Sequence, residues 1–218
     1  MDEKSLRQMA AQLQQPHGEE GVAIGEWMNR GNSQINRDTL EIVNAIANDR
    51  ILEIGMGNGF FVKDVLQKDK SIHYTGADFS ELMVNEAKKN NAKWVANGQA
   101  EFIVADMEEM PFAPHSFNKI FTINTIYFWQ DTVKICAAIK KVLTPGGKFI
   151  LALRPKRLME QYPFTSYGFT LFTKESVADL LLQNDFVLIQ AIEKQEPGVE
   201  RNGQVIPSES LIIECTGK

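Results

Sequence analysis

The stretch Glu53-Ile54-Gly55-Met56-Gly57-Asn58-Gly59 decides how this chain is read. It closes the apolar run Ile51–Ile54 and leads into Phe61, Val62, Val65 and Leu66, which share one face of a helix. Glycines at alternate positions serve a backbone that must turn tightly and let a ligand approach with no Cβ in the way. Strand, turn and helix in this order is the context such a loop needs in order to bind a small molecule. Taken alone, the same glycines also fit a strand-to-helix turn that holds nothing.

Working outward, the rhythm of strand then helix repeats. Ile72–Ala77, Phe102–Ala105, Lys119–Asn124 and Lys148–Leu153 read as further strands. Ser80 caps a helix carrying Leu82, Met83 and Ala87, and Asp131 caps another that runs to Val142. A turn at Pro145-Gly146-Gly147 precedes the fifth strand, and a helix led by Thr173 runs to about Gln183. Two tail strands, Phe186–Ile192 and Leu211–Glu214, form a closing hairpin joined by a polar loop with Pro197, Gly198, Gly203 and Pro207. Ahead of the core, Leu6, Met9 and Leu13 have helical spacing, and Asp38 with Glu41 reads as a capping box opening a helix.

The expected fold is α/β and Rossmann-like: a doubly wound, mostly parallel seven-stranded sheet with an antiparallel C-terminal strand and an N-terminal helical cap. One domain spans 1–218. Within it, 1–48 form the cap, 49–154 the ligand-binding core, 155–172 a lid rich in aromatics, and 173–218 the part that completes the sheet.

Composition narrows the function. The 218 residues are 44% hydrophobic and 23% charged, as in ordinary globular domains. With 23 Lys+Arg against 28 Asp+Glu the net charge is −5, so the chain lacks the cationic excess that nucleic acid requires. Two cysteines and three scattered histidines show no metal-ligand spacing. Residues Met1–Leu13 mix charges with apolar residues and predict no secretory leader, and no apolar run approaches the roughly 20 residues of a membrane span. A soluble cytoplasmic protein acting on a small molecule is expected, of unspecified oligomeric state.

The dinucleotide fingerprint Gly-x-Gly-x-x-Gly is not matched, because Phe60 stands at the third glycine's place and Gly59 comes one residue early. Glu53 gives a pyrophosphate nothing, whereas a ligand with a cationic amino group gains from it. The loop resembles the acidic-x-Gly-x-Gly-x-Gly motif of class I S-adenosylmethionine-dependent methyltransferases. Three more positions agree: Asp78-Phe79 after the second strand, Asp106-Met107 after the third, and Leu143-Thr144-Pro145-Gly146-Gly147 before the fifth. The resemblance implies a cofactor, S-adenosyl-L-methionine, in contact with Glu53, Gly55, Met56, Gly57, Asn58, Gly59, Asp78, Phe79, Asp106, Met107 and Asn124. Asp78 would take the ribose hydroxyls and Asp106 the adenine amino group.

The segment Asn124-Thr125-Ile126-Tyr127-Phe128-Trp129 would then face the transferred methyl. It has no Asn/Asp-Pro-Pro-aromatic sequence of the kind found in enzymes that methylate amide or adenine nitrogens. It looks more like the small-molecule branch that includes ubiquinone/menaquinone C-methyltransferases. Trp27, Tyr127, Trp129, Arg154 and Tyr162 are the expected acceptor-binding residues, with Tyr127 or His115 as a base if one is needed. Gly25–Asn36 and Tyr162–Phe172 are the expected covers of the strand ends. A cofactor-binding regulator without turnover and a nicotinamide oxidoreductase are the rival readings.

Overall fold

A computed structural model describes residues 1–201 and 204–217, with the backbone alone for 199–201 and 204–206. Three helices come first: α1 (Glu3–Gln14), α2 (Gly18–Gly31) and α3 (Ser33–Val43). The core follows as β1 (Arg50–Ile54), α4 (Val62–Leu66), β2 (His73–Asp78), α5 (Glu81–Asn90), α6 (Ala92–Ala96), β3 (Ala100–Val104) and β4 (Phe117–Ile123). A 3-10 turn over Ile126–Phe128 leads to α7 (Thr132–Val142), β5 (Leu143–Leu153), α8 (Lys156–Met159), α9 (Lys174–Gln183), β6 (Phe186–Arg201) and β7 (Gln204–Gly217).

The strands form one sheet in the order β3-β2-β1-β4-β5-β7-β6, and β7 alone runs against the other six. This is the expected α/β architecture. The order reverses between β1 and β4, which opens a crevice beyond their carboxyl ends, the usual ligand position in such sheets.

Alternation along β1 assigns the two faces of the sheet. Ile51 joins a cluster with Ile35 and Val43 of α3, Val65 and Leu66 of α4, and Val84 of α5. Leu52 joins the other cluster, with Ile135 and Ile139 of α7 and Val177 and Leu181 of α9. Each such fully buried aliphatic side chain contributes about 1.5–3 kcal/mol of transfer free energy. The caps at Ser80, Asp131 and Thr173 form as expected, each side chain accepting from the backbone N–H three residues on.

Two expectations are corrected. Asp38 and Glu41 do not open a helix, because α3 begins at Ser33; Asp38 is buried inside it and pairs with Lys194 of β6 at 2.8 Å. The polar tail loop is largely strand: Pro197 and Gly198 sit in β6, where a register shift between Glu196 and Val199 absorbs them, and Pro207 sits in β7. Gly203 lies outside the described residues. The aromatic stretch 155–172 packs on the core, with Met159 and Phe172 buried and Phe169 against Tyr127 and Phe128.

Candidate functional site: a cavity at the carboxyl ends of the strands

The glycine loop leaves β1 in left-handed backbone conformations: φ is +74° at Gly55, +58° at Gly57 and +67° at Gly59. Side chains are excluded for different reasons. A Cβ on Gly55 would lie 2.3 Å from Thr125 Cγ2, and one on Gly59 would lie 2.7 Å from Asn91 Nδ2. A Cβ on Gly57 would meet nothing within 4 Å and would project into open space. Gly55 and Gly59 are therefore glycine for packing, and Gly57 keeps room free above the loop.

That room belongs to a cavity of about 270 Å³. One wall is the carboxyl edge of the sheet: Glu53 to Asn58, Asp78, Phe79, Asp106 and Met107. The opposite wall comes from the cap and the β4–α7 segment, with Met28, Asn29, Asn32, Asn124, Phe128 and Gln130. The cap is tied over the sheet by Ser80 Oγ, which donates to the Pro16 carbonyl at 2.5 Å, and by Asn124 Nδ2, which donates to Asn32 Oδ1 at 3.2 Å.

Asp78 accepts from the Gly57 N–H at 2.9 Å and from the Ser80 N–H at 2.8 Å, which fixes its carboxylate at the cavity wall. Burial raises its pKa from the ordinary carboxyl value, against these backbone donors. A carboxylate has about four acceptor sites, so the remaining ones are open to ligand hydroxyls. Glu53 is 7% exposed and accepts from the Tyr74 hydroxyl. Burial pushes its pKa up to about 7; the Tyr74 hydrogen bond opposes the rise and the Asp78 charge adds to it. Asn58 is 7% exposed, and its Oδ1 has no hydrogen-bond partner. Such an orphaned buried acceptor calls for a donor from a ligand or water.

Several expected residues stand elsewhere. Tyr127 is buried, with its hydroxyl hydrogen-bonded to the backbone N–H and C=O of Arg154 and to Asn124 Oδ1. Its pKa is raised by burial, so it is a braced phenol and not a base. His115 lies at the far end of the sheet, where its ring Nδ1 meets the Leu143 carbonyl and its own carbonyl accepts from Arg50. Arg154 turns away from the cavity: its guanidinium pairs with Glu196 at 2.6 Å and donates to Ser208 Oγ and to the carbonyls of Glu209 and Gly31. An anionic substrate group cannot reach it there. Trp129 is 5% exposed and donates to Thr125 Oγ1, Trp27 faces outward at 39% exposure, and Tyr162 stacks on Phe164. None of these lines the cavity. Gly59 lies just behind the wall it supports. Met28, Asn29 and Asn32 line the cavity from the expected segment 25–36, and Thr125 and Phe128 from the expected segment 124–129; Gln130, one residue beyond, is a lining residue that the sequence reading misses.

The comparisons agree with this geometry. A family model described as a methyltransferase domain matches residues 51–147. An uncharacterized methyltransferase, YdaC of Bacillus subtilis, is 29% identical over 62% of this chain and 72% of its own. The ubiquinone/menaquinone biosynthesis C-methyltransferase UbiE of Rickettsia typhi is 30% identical over 63% of this chain, which spans only 57% of that relative. Among solved structures, a complex of the Haloferax volcanii Trm112 methyltransferase activator with a methyltransferase gives a TM-score of 0.78 at 14% identity, covering 100% of this chain and 98% of that one. A SAM-dependent methyltransferase from Aquifex aeolicus gives 0.67 at 15% identity, over 83% and 88% of the two chains. The fold is that of the class I methyltransferases. The chain carries a methyltransferase domain over residues 51–147, for which S-adenosyl-L-methionine is the expected cofactor.

Proposed function

We propose that this enzyme methylates a small, uncharged, partly apolar acceptor held between the helical cap and the β4–α7 segment. The observation that carries this reading is the composition of the cavity wall. Its charged side chains among the described residues are Glu53, Asp78, Asp106 and Glu108, all carboxylates, and the acceptor side offers the amides of Asn29, Asn32 and Gln130 beside Met28 and Phe128. Four carboxylates favour a cationic cofactor and oppose an anionic acceptor, and amides supply neutral hydrogen bonds.

The residues fit the cofactor. Glu53 suits its amino group, Asp78 its ribose hydroxyls and Asp106 the amino group of its adenine, with Met107 and Phe79 against the ring. Gly57 leaves space for it, and Asn58 Oδ1 has an acceptor position to offer. When bound, the cofactor supplies a methyl group already activated by its sulfonium. The protein then has to align the acceptor and keep water out, which is where proximity earns most of a methyl transfer's acceleration. Phe128 and Met28 do the excluding, while Asn124, itself held at φ +59°, fixes the spacing between sheet and cap through Asn32. We assign no side-chain base, since Tyr127 and His115 lie outside the cavity. A cytoplasmic location belongs to this reading, supported by the two free, buried cysteines Cys136 and Cys215. Among the described residues no helix is long and apolar enough to cross a membrane.

The test is methyl transfer from labelled cofactor to matched acceptors, each offered in an uncharged and a carboxylated form: phenols, hydroquinones and anilines. The expected result is turnover confined to uncharged members. Preference for the carboxylated members would sink the acceptor assignment.

A further inference from the structure

Tyr74 stands in β2 beside Ile51 of β1, and its phenol O–H donates to Oε2 of Glu53, the residue that pairs with Gly76 one step further along the strand face. The tyrosine is 1% exposed and sits among Ile51, Val65 and Phe102, its ring centroid 6.0 Å from that of Phe102. A phenol in so apolar a setting needs a hydrogen-bond partner, and a carboxylate as buried as Glu53 needs a donor to stay charged. Each supplies the other. The pair sits at the root of the cavity, with Glu53 in its wall and Tyr74 behind it.

We propose that Tyr74 is a positioning residue for cofactor binding: its buried hydroxyl aims the Glu53 carboxylate into the cavity and keeps it in the ionised form that an ammonium ligand requires. This rests on the reading that Glu53 meets the cofactor's amino group. The other charged groups around Glu53 do not help. Asp78 of β2 faces it with a like charge. On β4, its register partner is Phe121, and Lys119 is committed to Asp49 at 2.7 Å. On α3, Asp38 is committed to Lys194. Met56 of the glycine loop is apolar. The Tyr74 hydroxyl is therefore the donor that favours the anion, against burial and Asp78, which both favour the neutral acid. Its own pKa is held well above the usual phenol value by burial and by Glu53, so it remains a donor throughout the working range.

The experiment is calorimetric titration with S-adenosylhomocysteine between about pH 6 and pH 9, using wild type, Tyr74→Phe, Glu53→Gln and the double variant. Wild-type affinity should fall as pH drops through the titration of Glu53. Tyr74→Phe should bind about tenfold or more weakly near neutrality, with the midpoint moved upward by about one to two pH units, as expected from losing a hydrogen bond to a charged group. In the Glu53→Gln background the Tyr74→Phe change should cost nothing further. An unchanged midpoint in Tyr74→Phe, or an equal loss in both backgrounds, would make Tyr74 a packing residue and overturn the proposal. A Glu53→Gln variant that binds as wild type with the same pH profile would instead refute the Glu53 reading, and the proposal with it. If Tyr74→Phe does not fold, fluorotyrosine incorporation gives a stronger donor of nearly the same shape. The midpoint should then move downward, and a fixed midpoint overturns the proposal.

Discussion

At the residue scale, the glycine loop separates two kinds of necessity. Gly57 and Gly59 both have positive φ, so alanine at either strains the backbone by about 1–2 kcal/mol. Gly59→Ala adds a collision with Asn91 and Ala87, whereas Gly57→Ala places its methyl in the cavity. We expect Gly59→Ala to lower the melting temperature strongly while its folded fraction still binds S-adenosylhomocysteine. Gly57→Ala should lose binding with a modest thermal cost. Calorimetry and thermal denaturation on both variants check the contrast, and reversed phenotypes would mean that the loop does not face the cofactor. Asp78→Ala should weaken the same binding by about 1.5–3 kcal/mol through loss of charge-assisted hydrogen bonds. Unchanged affinity would mean that the ribose is held elsewhere. Glu53, the glycines and Asp78 were legible in the sequence because a strand end followed by a tight turn leaves them one place to go. The roles of Tyr127, His115 and Arg154 were not, since residue type does not say which partner reaches a side chain first.

At the scale of elements, Arg154 joins three parts of the chain. It sits just past the end of β5, pairs with Glu196 of β6, bonds Ser208 and Glu209 of β7, and caps the last carbonyl of α2 at Gly31. Both members of the ion pair are buried, so removing one leaves the other's buried charge without its counter-charge. We therefore predict that Arg154→Ala destabilises the fold by about 3–5 kcal/mol, and that Arg154→Met with Glu196→Met recovers most of the loss. Denaturant unfolding measures both. A small effect of Arg154→Ala would show that the hairpin does not depend on this clamp. The length of that hairpin was hidden in the sequence, because Pro197, Gly198 and Pro207 are turn-formers by local propensity. The bulge after Glu196 and the pairing with β7 override them.

At the scale of the whole molecule, the cofactor site costs stability. Glu53 titrates near 7 in the fold against 4.5 as its ordinary value. A raised carboxyl pKa means that the folded state binds the proton more tightly than the unfolded state does. Its contribution is fully present below the unfolded value and is lost as pH rises through the folded one, a penalty on the order of 3 kcal/mol. Without cofactor, Glu53→Gln should therefore raise the melting temperature at about pH 8 and do little near pH 5. An equal effect at both pH values would place the carboxylate in contact with solvent. What the sequence by itself determined was the α/β sheet, the glycine loop and the acidic strand ends. These follow from periodicity and from turn chemistry, which act over a few residues. Only the tertiary structure decided that α3 starts at Ser33 and buries Asp38 against Lys194, that the Tyr74 hydroxyl donates a hydrogen bond to Glu53, and that Arg154 clamps a hairpin instead of binding substrate. Each of these joins residues distant in sequence, and which partner wins depends on how two surfaces meet once the core has packed.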